Sequence, residues 1–146
     1  MTFCEAIEKG DLEQVKKCGS LGSGNIPILT ASRLGHLEIL KYLVSIGADV
    51  RSGNDFTLML AAANGYLEIV IYLISLGAYI HSNNNYAIIV ASENGHLEIV
   101  RYLASLGANM LNISKKTRKY ILFCRKMEEK ALGGEEDLLL VDSYLL

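Results

Sequence analysis

Along the middle of the chain, apolar and polar positions recur three times in one arrangement. Segments 31–60, 61–90 and 91–120 align without gaps at a period of 30, and ten of their first eighteen positions are identical in all three. Shared positions include Gly35, Gly65 and Gly95, the Leu-Glu-Ile trios that begin at Leu37, Leu67 and Leu97, and the Gly-Ala pairs that begin at Gly47, Gly77 and Gly107. A period in the range of about 20–50 residues is the mark of a stacked array. On a helical wheel of about 100° per residue, Leu37, Ile39, Leu40, Leu43 and Val44 cover one arc, with Glu38, Lys41 and Ser45 opposite and Tyr42 at the edge. The other copies repeat this arc with Leu67, Ile69, Val70, Leu73 and Ile74, and with Leu97, Ile99, Val100, Leu103 and Ala104. Glu38, Glu68 and Glu98 fall in the first turn, where the helix dipole favours an anion. Gly47, Gly77 and Gly107 stand where a left-handed cap ends a helix. The pattern predicts an outer helix of about three turns in each copy.

A shorter helix is predicted before each outer one, ending at Gly35, Gly65 or Gly95. Its small residues (Ala31, Ala61 to Ala63, Ala91, Ser92) allow a neighbouring helix to approach closely. Asn25, Asp55 and Asn85 lie just ahead and are expected to act as N-caps. Pro27, the single proline, falls in a first turn, where its missing N–H costs nothing. The stretches Arg51-Ser52-Gly53-Asn54-Asp55 and His81-Ser82-Asn83-Asn84-Asn85 read as tight, exposed turns, because Gly and Asn tolerate positive φ. Helices this short are unstable alone in water, so each pair must bury its apolar arc against the next.

Both ends depart from the pattern. Ala6, Gly10, Leu12, Glu13, Val15 and Gly22 keep the spacing of a degenerate copy, with a link to Ala31 five residues shorter than elsewhere. Residues 1–25 therefore read as an N-terminal capping unit and 26–114 as three full repeats. After Asn109 the match fails, since Arg125 stands where Gly is expected and no Leu-Glu-Ile follows. A longer helix is predicted from Lys116 to Leu132, with Ile121, Leu122, Met127 and Cys124 inward and Gly133-Gly134 as the stop. Residues 115–146 thus form a C-terminal helical cap with an apolar tail, 138–146, expected to dock on the final repeat.

The repeat resembles an ankyrin repeat. The family's Thr-Pro-Leu-His-x-Ala helix start, Gly-His-Leu-Glu-Val-Val centre and Gly-Ala-Asp-Val end map onto Ile26-Pro27-Ile28-Leu29-Thr30-Ala31, Gly35-His36-Leu37-Glu38-Ile39-Leu40 and Gly47-Ala48-Asp49-Val50. The period is three residues short of the family's usual one, and the missing residues fall in the turn. The family's Thr is replaced by Ile26, Phe56 or Tyr86 and its His by Leu29, Met59 or Ile89, so packing is expected to stand in for their hydrogen bonds. This short-period variant is similar to the ankyrin repeats of large DNA viruses of amoebae. The resemblance implies an all-α solenoid that binds a protein partner and catalyses nothing.

Composition narrows the alternatives. The chain has 146 residues, 51% apolar and 21% charged, which fits one folded domain. A net charge of −2 argues against electrostatic nucleic-acid binding by the whole molecule. Cys4, Cys18 and Cys124 are odd in number and scattered, as buried hydrophobes of a reducing compartment are, which places the chain inside a cell, in the cytoplasm (a host's, for a viral chain). Met1 to Glu13 carry Glu5, Glu8 and Asp11 and no apolar run, unlike a secretory signal. Residues 56–80 hold one charge, Glu68, but Asn64 and Gly65 also interrupt them, so they read as a core segment and not a membrane span. There is no Gly-rich phosphate loop, nucleophile motif or His-Glu-x-x-His pattern, and no cofactor, metal or small-molecule substrate is implied. His36, Tyr66 and His96 share one repeat position and read as structural.

Carrying the family's variable positions over gives a partner-binding set. The shorter helices supply Arg33, Leu34, Ala63, Asn64, Glu93 and Asn94, and the turns supply Arg51, Asn54, Asp55, His81, Asn83, Asn84 and Asn85, with Tyr79 nearby. Arg33, Arg51 and Tyr79 lead the set, because Arg and Tyr most often carry interface energy. The expected mode is a monomer holding one protein partner on its concave face. Two alternatives remain at this point: a tail that recruits cellular machinery, and attachment to an anionic surface through the basic run from Lys115 to Lys130. The run lacks the aromatic interleaving of a base-stacking surface, and reads first as a solvated cap face.

Overall fold

A computed structural model describes residues 1–19 and 24–132. Every regular element among them is an α-helix. The first pair is α1 (Phe3–Glu8) and α2 (Leu12–Cys18), followed by α3 (Ile26–Leu34) with α4 (Leu37–Ser45). Then come α5 (Ser52–Asn64) with α6 (Leu67–Ser75), α7 (Ser82–Glu93) with α8 (Leu97–Ser105), and the long α9 (Lys115–Ala131). The first helices of the pairs pack most closely on one another, α3 on α5 and α5 on α7. Ala31, Ala61, Ala62 and Ala91 are buried along that contact, where a larger side chain would push the helices apart. The second helices bury the arc their sequence predicts: Ile39, Leu40 and Leu43, then Ile69, Val70 and Leu73, then Ile99, Val100 and Leu103.

Each pair is keyed to the one before it through a glycine and a ring. Gly35 ends α3 in a left-handed conformation, φ 82°, and a Cβ there would lie 2.5 Å from the Tyr66 ring. At Gly65 the same space belongs to His96, whose ring Nε2–H donates to the Ala63 carbonyl at 3.0 Å. His36 lies likewise over Gly10, so the N-terminal pair joins the row in register. That pair closes its own end with a capping box between Thr2 and Glu5, and the Thr2 N–H holds the Glu5 carboxyl below its ordinary pKa.

Inside the ranges of α5 and α7, three successive left-handed residues (Gly53, Asn54, Asp55 and Asn83, Asn84, Asn85) break the helix, so its regular part begins at Phe56 and at Tyr86. Asn and Asp are the side-chain-bearing residues that tolerate this best. The N-cap expectation is therefore corrected. Asn25 makes no side-chain cap, and Asp55 and Asn85 lie inside left-handed turns with their side chains turned to the next repeat.

At the C-terminal end, α9 runs on where the earlier copies break, since Arg125 takes the place of the glycine. Ser114 caps its N-terminus, and Ile121 and Thr117 face the stack. Met127 was expected inward and is exposed instead: it lies about 120° around the helix from Ile121. Leu122 and Cys124 are half-buried. The Gly133-Gly134 stop, the tail 138–146 and Ser20 to Gly22 lie outside the described residues.

Candidate protein-binding face

The two left-handed turns and the helix starts that follow them share one edge of the stack, and Asp55 ties the turns together. Asp55 is 3% exposed, and its carboxylate accepts from the Tyr79 N–H at 3.0 Å and from the Ser82 hydroxyl at 2.5 Å. Arg51 Nε stands 3.6 Å from the same carboxylate. Asp55, expected in the partner-binding set, thus has both carboxylate oxygens engaged within the stack. Asn85 repeats the clasp one unit later, accepting from the Asn109 N–H at 3.1 Å, with His81 Nδ1 2.6 Å from the same oxygen. Asn83 Nδ2 donates to the Asn54 carbonyl at 3.2 Å, joining the two turn tips.

An open groove of about 600 Å³ lies between these turns, lined by Asp49, Arg51, Asn54, Asp55, Tyr79, Ser82 and Asn83. It unites five of the sequence-derived residues. Asn84 is exposed next to it, and His81 and Asn85 are half-buried. Tyr79 is freed by a substitution within the repeat. At the equivalent positions Asp49 and Asn109 turn back to accept the backbone N–H two residues on, at 2.9 and 2.8 Å. A tyrosine cannot close that turn, and the exposed ring rests edge-on against His81, centroids 5.3 Å apart.

The remaining residues form a second cluster at the opposite ends of the first helices. Arg33, Asn64, Glu93 and Asn94 are exposed there, with Leu34 and Ala63 half-buried. Asn64 and Asn94 each donate to a carbonyl one helical turn back, at 2.8 and 3.0 Å. A nine-residue helix such as α3 is about 13 Å long, so this cluster is separated from the groove.

A row expected to pack inward lies at the groove end of the first helices. Ile26, Phe56 and Tyr86 begin successive first helices and are 66%, 41% and 44% exposed. Their neighbours Pro27, Thr57 and Ala87 take the inward position, so packing does not stand in at the family's Thr position, whereas Leu29, Met59 and Ile89, at its His position, do pack against the core. Three large apolar side chains at one repeat position, each followed by a residue small enough to be buried, were the available signal.

Both arginines of the basic run are engaged within the fold. Arg118 donates to the carbonyls of Met110 and Leu111 at 3.0 and 2.7 Å, and Arg125 to that of Ala104 at 2.7 Å. Arg101 of α8 pairs with Glu128 of α9. Two of the run's arginines thus fasten loop and helix ends. No described helix is long and apolar enough to cross a membrane, and no cluster of metal-ligating side chains occurs among the described residues.

Stacked helix pairs, keyed by ring on glycine and joined by short polar turns, define a helical repeat protein of the solenoid class. The family model for ankyrin repeats in three copies matches residues 3–84 and again 58–124. The chain belongs to the ankyrin-repeat family, whose members are in general protein-interaction modules. Among curated proteins, none matches the chain.

Proposed function

We propose that the chain is a non-catalytic module that binds one protein partner across its first helices and turn tips, the concave face of an ankyrin stack. The supporting observation is the exposed row Ile26, Phe56 and Tyr86 beside Tyr79. It supplies apolar anchors directly beside Arg51, Asn54 and Asn83, with Arg33 and Glu93 at the far ends of the same helices. Anchors inside a polar rim are the anatomy of a protein interface. In this reading 1–25 caps the stack, 26–114 carries the binding face, and 115–146 closes the far end. The module works as a monomer in the cytoplasm. Its short-period repeats are similar to those of large DNA viruses of amoebae.

Affinity capture followed by titration of the purified prey tests this. Phe56→Ala, Tyr79→Ala and Tyr86→Ala together are expected to weaken binding about 100-fold or more, since one anchor truncation alone costs about 2 kcal/mol and such costs do not simply add. The Arg33→Ala and Arg51→Ala pair is expected to cost about tenfold. A triple variant that folds and binds like wild type would remove the face from consideration.

A further inference from the structure

The last helix has two apolar faces, and the stack covers only one. Measured around α9 from buried Ile121, Tyr120, Phe123 and Met127 fall within an arc of about 60° on the far side. They are 42%, 52% and 52% exposed. At the position of Phe123 the earlier repeats carry Arg33, Ala63 and Glu93, so an exposed apolar ring there is peculiar to α9, and no further repeat follows among the described residues.

We propose that this arc is the seat of the chain's own segment 138–146. Three properties favour that occupant. First, the segment is complementary in character: Leu138-Leu139-Leu140-Val141 and Tyr144-Leu145-Leu146 make it seven apolar to two polar residues. Second, it reaches. Residues 133–137 span at most about 17 Å when extended, whereas Met127 and Tyr120 lie about 8 and 18 Å back along the helix from Leu132. The pair Gly133-Gly134 permits the reversal such a path needs. Third, charge selects the tail over a second copy of the chain. Helix α9 carries seven basic against two acidic side chains, with Lys116, Lys126 and Lys130 flanking the arc. Residues 133–146 carry four acidic side chains (Glu135, Glu136, Asp137 and Asp142) and no basic one. Two α9 helices face to face repel, and α9 against the tail attracts. A five-residue tether also sets an effective concentration in the millimolar range, which a free partner rarely matches.

Hydrogen exchange by mass spectrometry on the full chain tests the seat. Amides of 138–146 are expected to exchange at least about tenfold slower than an unstructured peptide, equally at low and high protein concentration. The exposed-face variant Phe123→Asp/Met127→Asp is expected to abolish that protection while α3 to α8 stay as protected as in wild type. The tail variant Leu139→Asp/Leu140→Asp should in turn speed exchange at 120–127. Tail exchange at the unstructured rate in wild type overturns the proposal. Protection that rises with concentration would assign the seat to a second copy and overturns it too. So does protection that survives Phe123→Asp/Met127→Asp, since the tail would then sit elsewhere.

Discussion

The turn at Gly53 to Asp55 and the turn at Asn83 to Asn85 have the same backbone and opposite chemistry. Both carry three left-handed residues and both place the third side chain on a backbone N–H exactly one outer helix later in the repeat, at Tyr79 and at Asn109. The first does so with a buried carboxylate that also holds the Ser82 hydroxyl and faces Arg51. The second uses a half-buried amide that shares its oxygen with its own turn's His81. The requirement common to both is an acceptor on a short stem at a left-handed position. Charge is an addition made at the centre of the row, where two complete repeats meet and burial strengthens the bonds.

That contrast is broken first at the carboxylate. Asp55→Ala leaves the Tyr79 N–H and the Ser82 hydroxyl without their acceptor and puts a Cβ-only residue in left-handed geometry. We expect a loss of about 3 kcal/mol in urea unfolding, against about 1.5 kcal/mol for Asn85→Ala. Equal losses would mean that the two clasps differ in composition but not in strength. A finer variant, Asp55→Asn, keeps the shape and one acceptor and removes the charge. It should cost about 1 kcal/mol, and its effect should vanish in the Arg51→Ala background if the cation accounts for the difference. The smallest effect belongs to Tyr79→Asn, which restores the turn closure that Asp49 and Asn109 make. Stability should change by no more than about 0.5 kcal/mol, in the stabilising direction, while partner affinity falls.

Much of this was legible in the sequence because it is written three times. The outer helices Leu37–Ser45, Leu67–Ser75 and Leu97–Ser105 follow from the apolar arc, and the ring-on-glycine key accounts for the one position shared by His36, Tyr66 and His96. Asp55 and Asn85 were misread as N-caps because Asn and Asp favour both a cap and a left-handed turn. Only a bond to a residue 24 positions away decides between them. The exposed row Ile26, Phe56 and Tyr86 escaped notice for a different reason: one step along a helix rotates a side chain by about 100°, and the smaller neighbour won the inward place. Met127 had no repeat to set its phase, and α9 offers apolar residues on both sides.

The key between repeats has a direction. Each ring belongs to the later copy and each glycine to the earlier one, and at Gly95 a Cβ would meet nothing within 4 Å. A chain made from its N-terminus therefore always exposes a finished socket before the plug that fills it has been synthesised. Shortening the protein from its C-terminus leaves an empty socket, which is a bare backbone glycine. Shortening it from the N-terminus strands an aromatic plug in water, so the two ends of the row are not equally expendable.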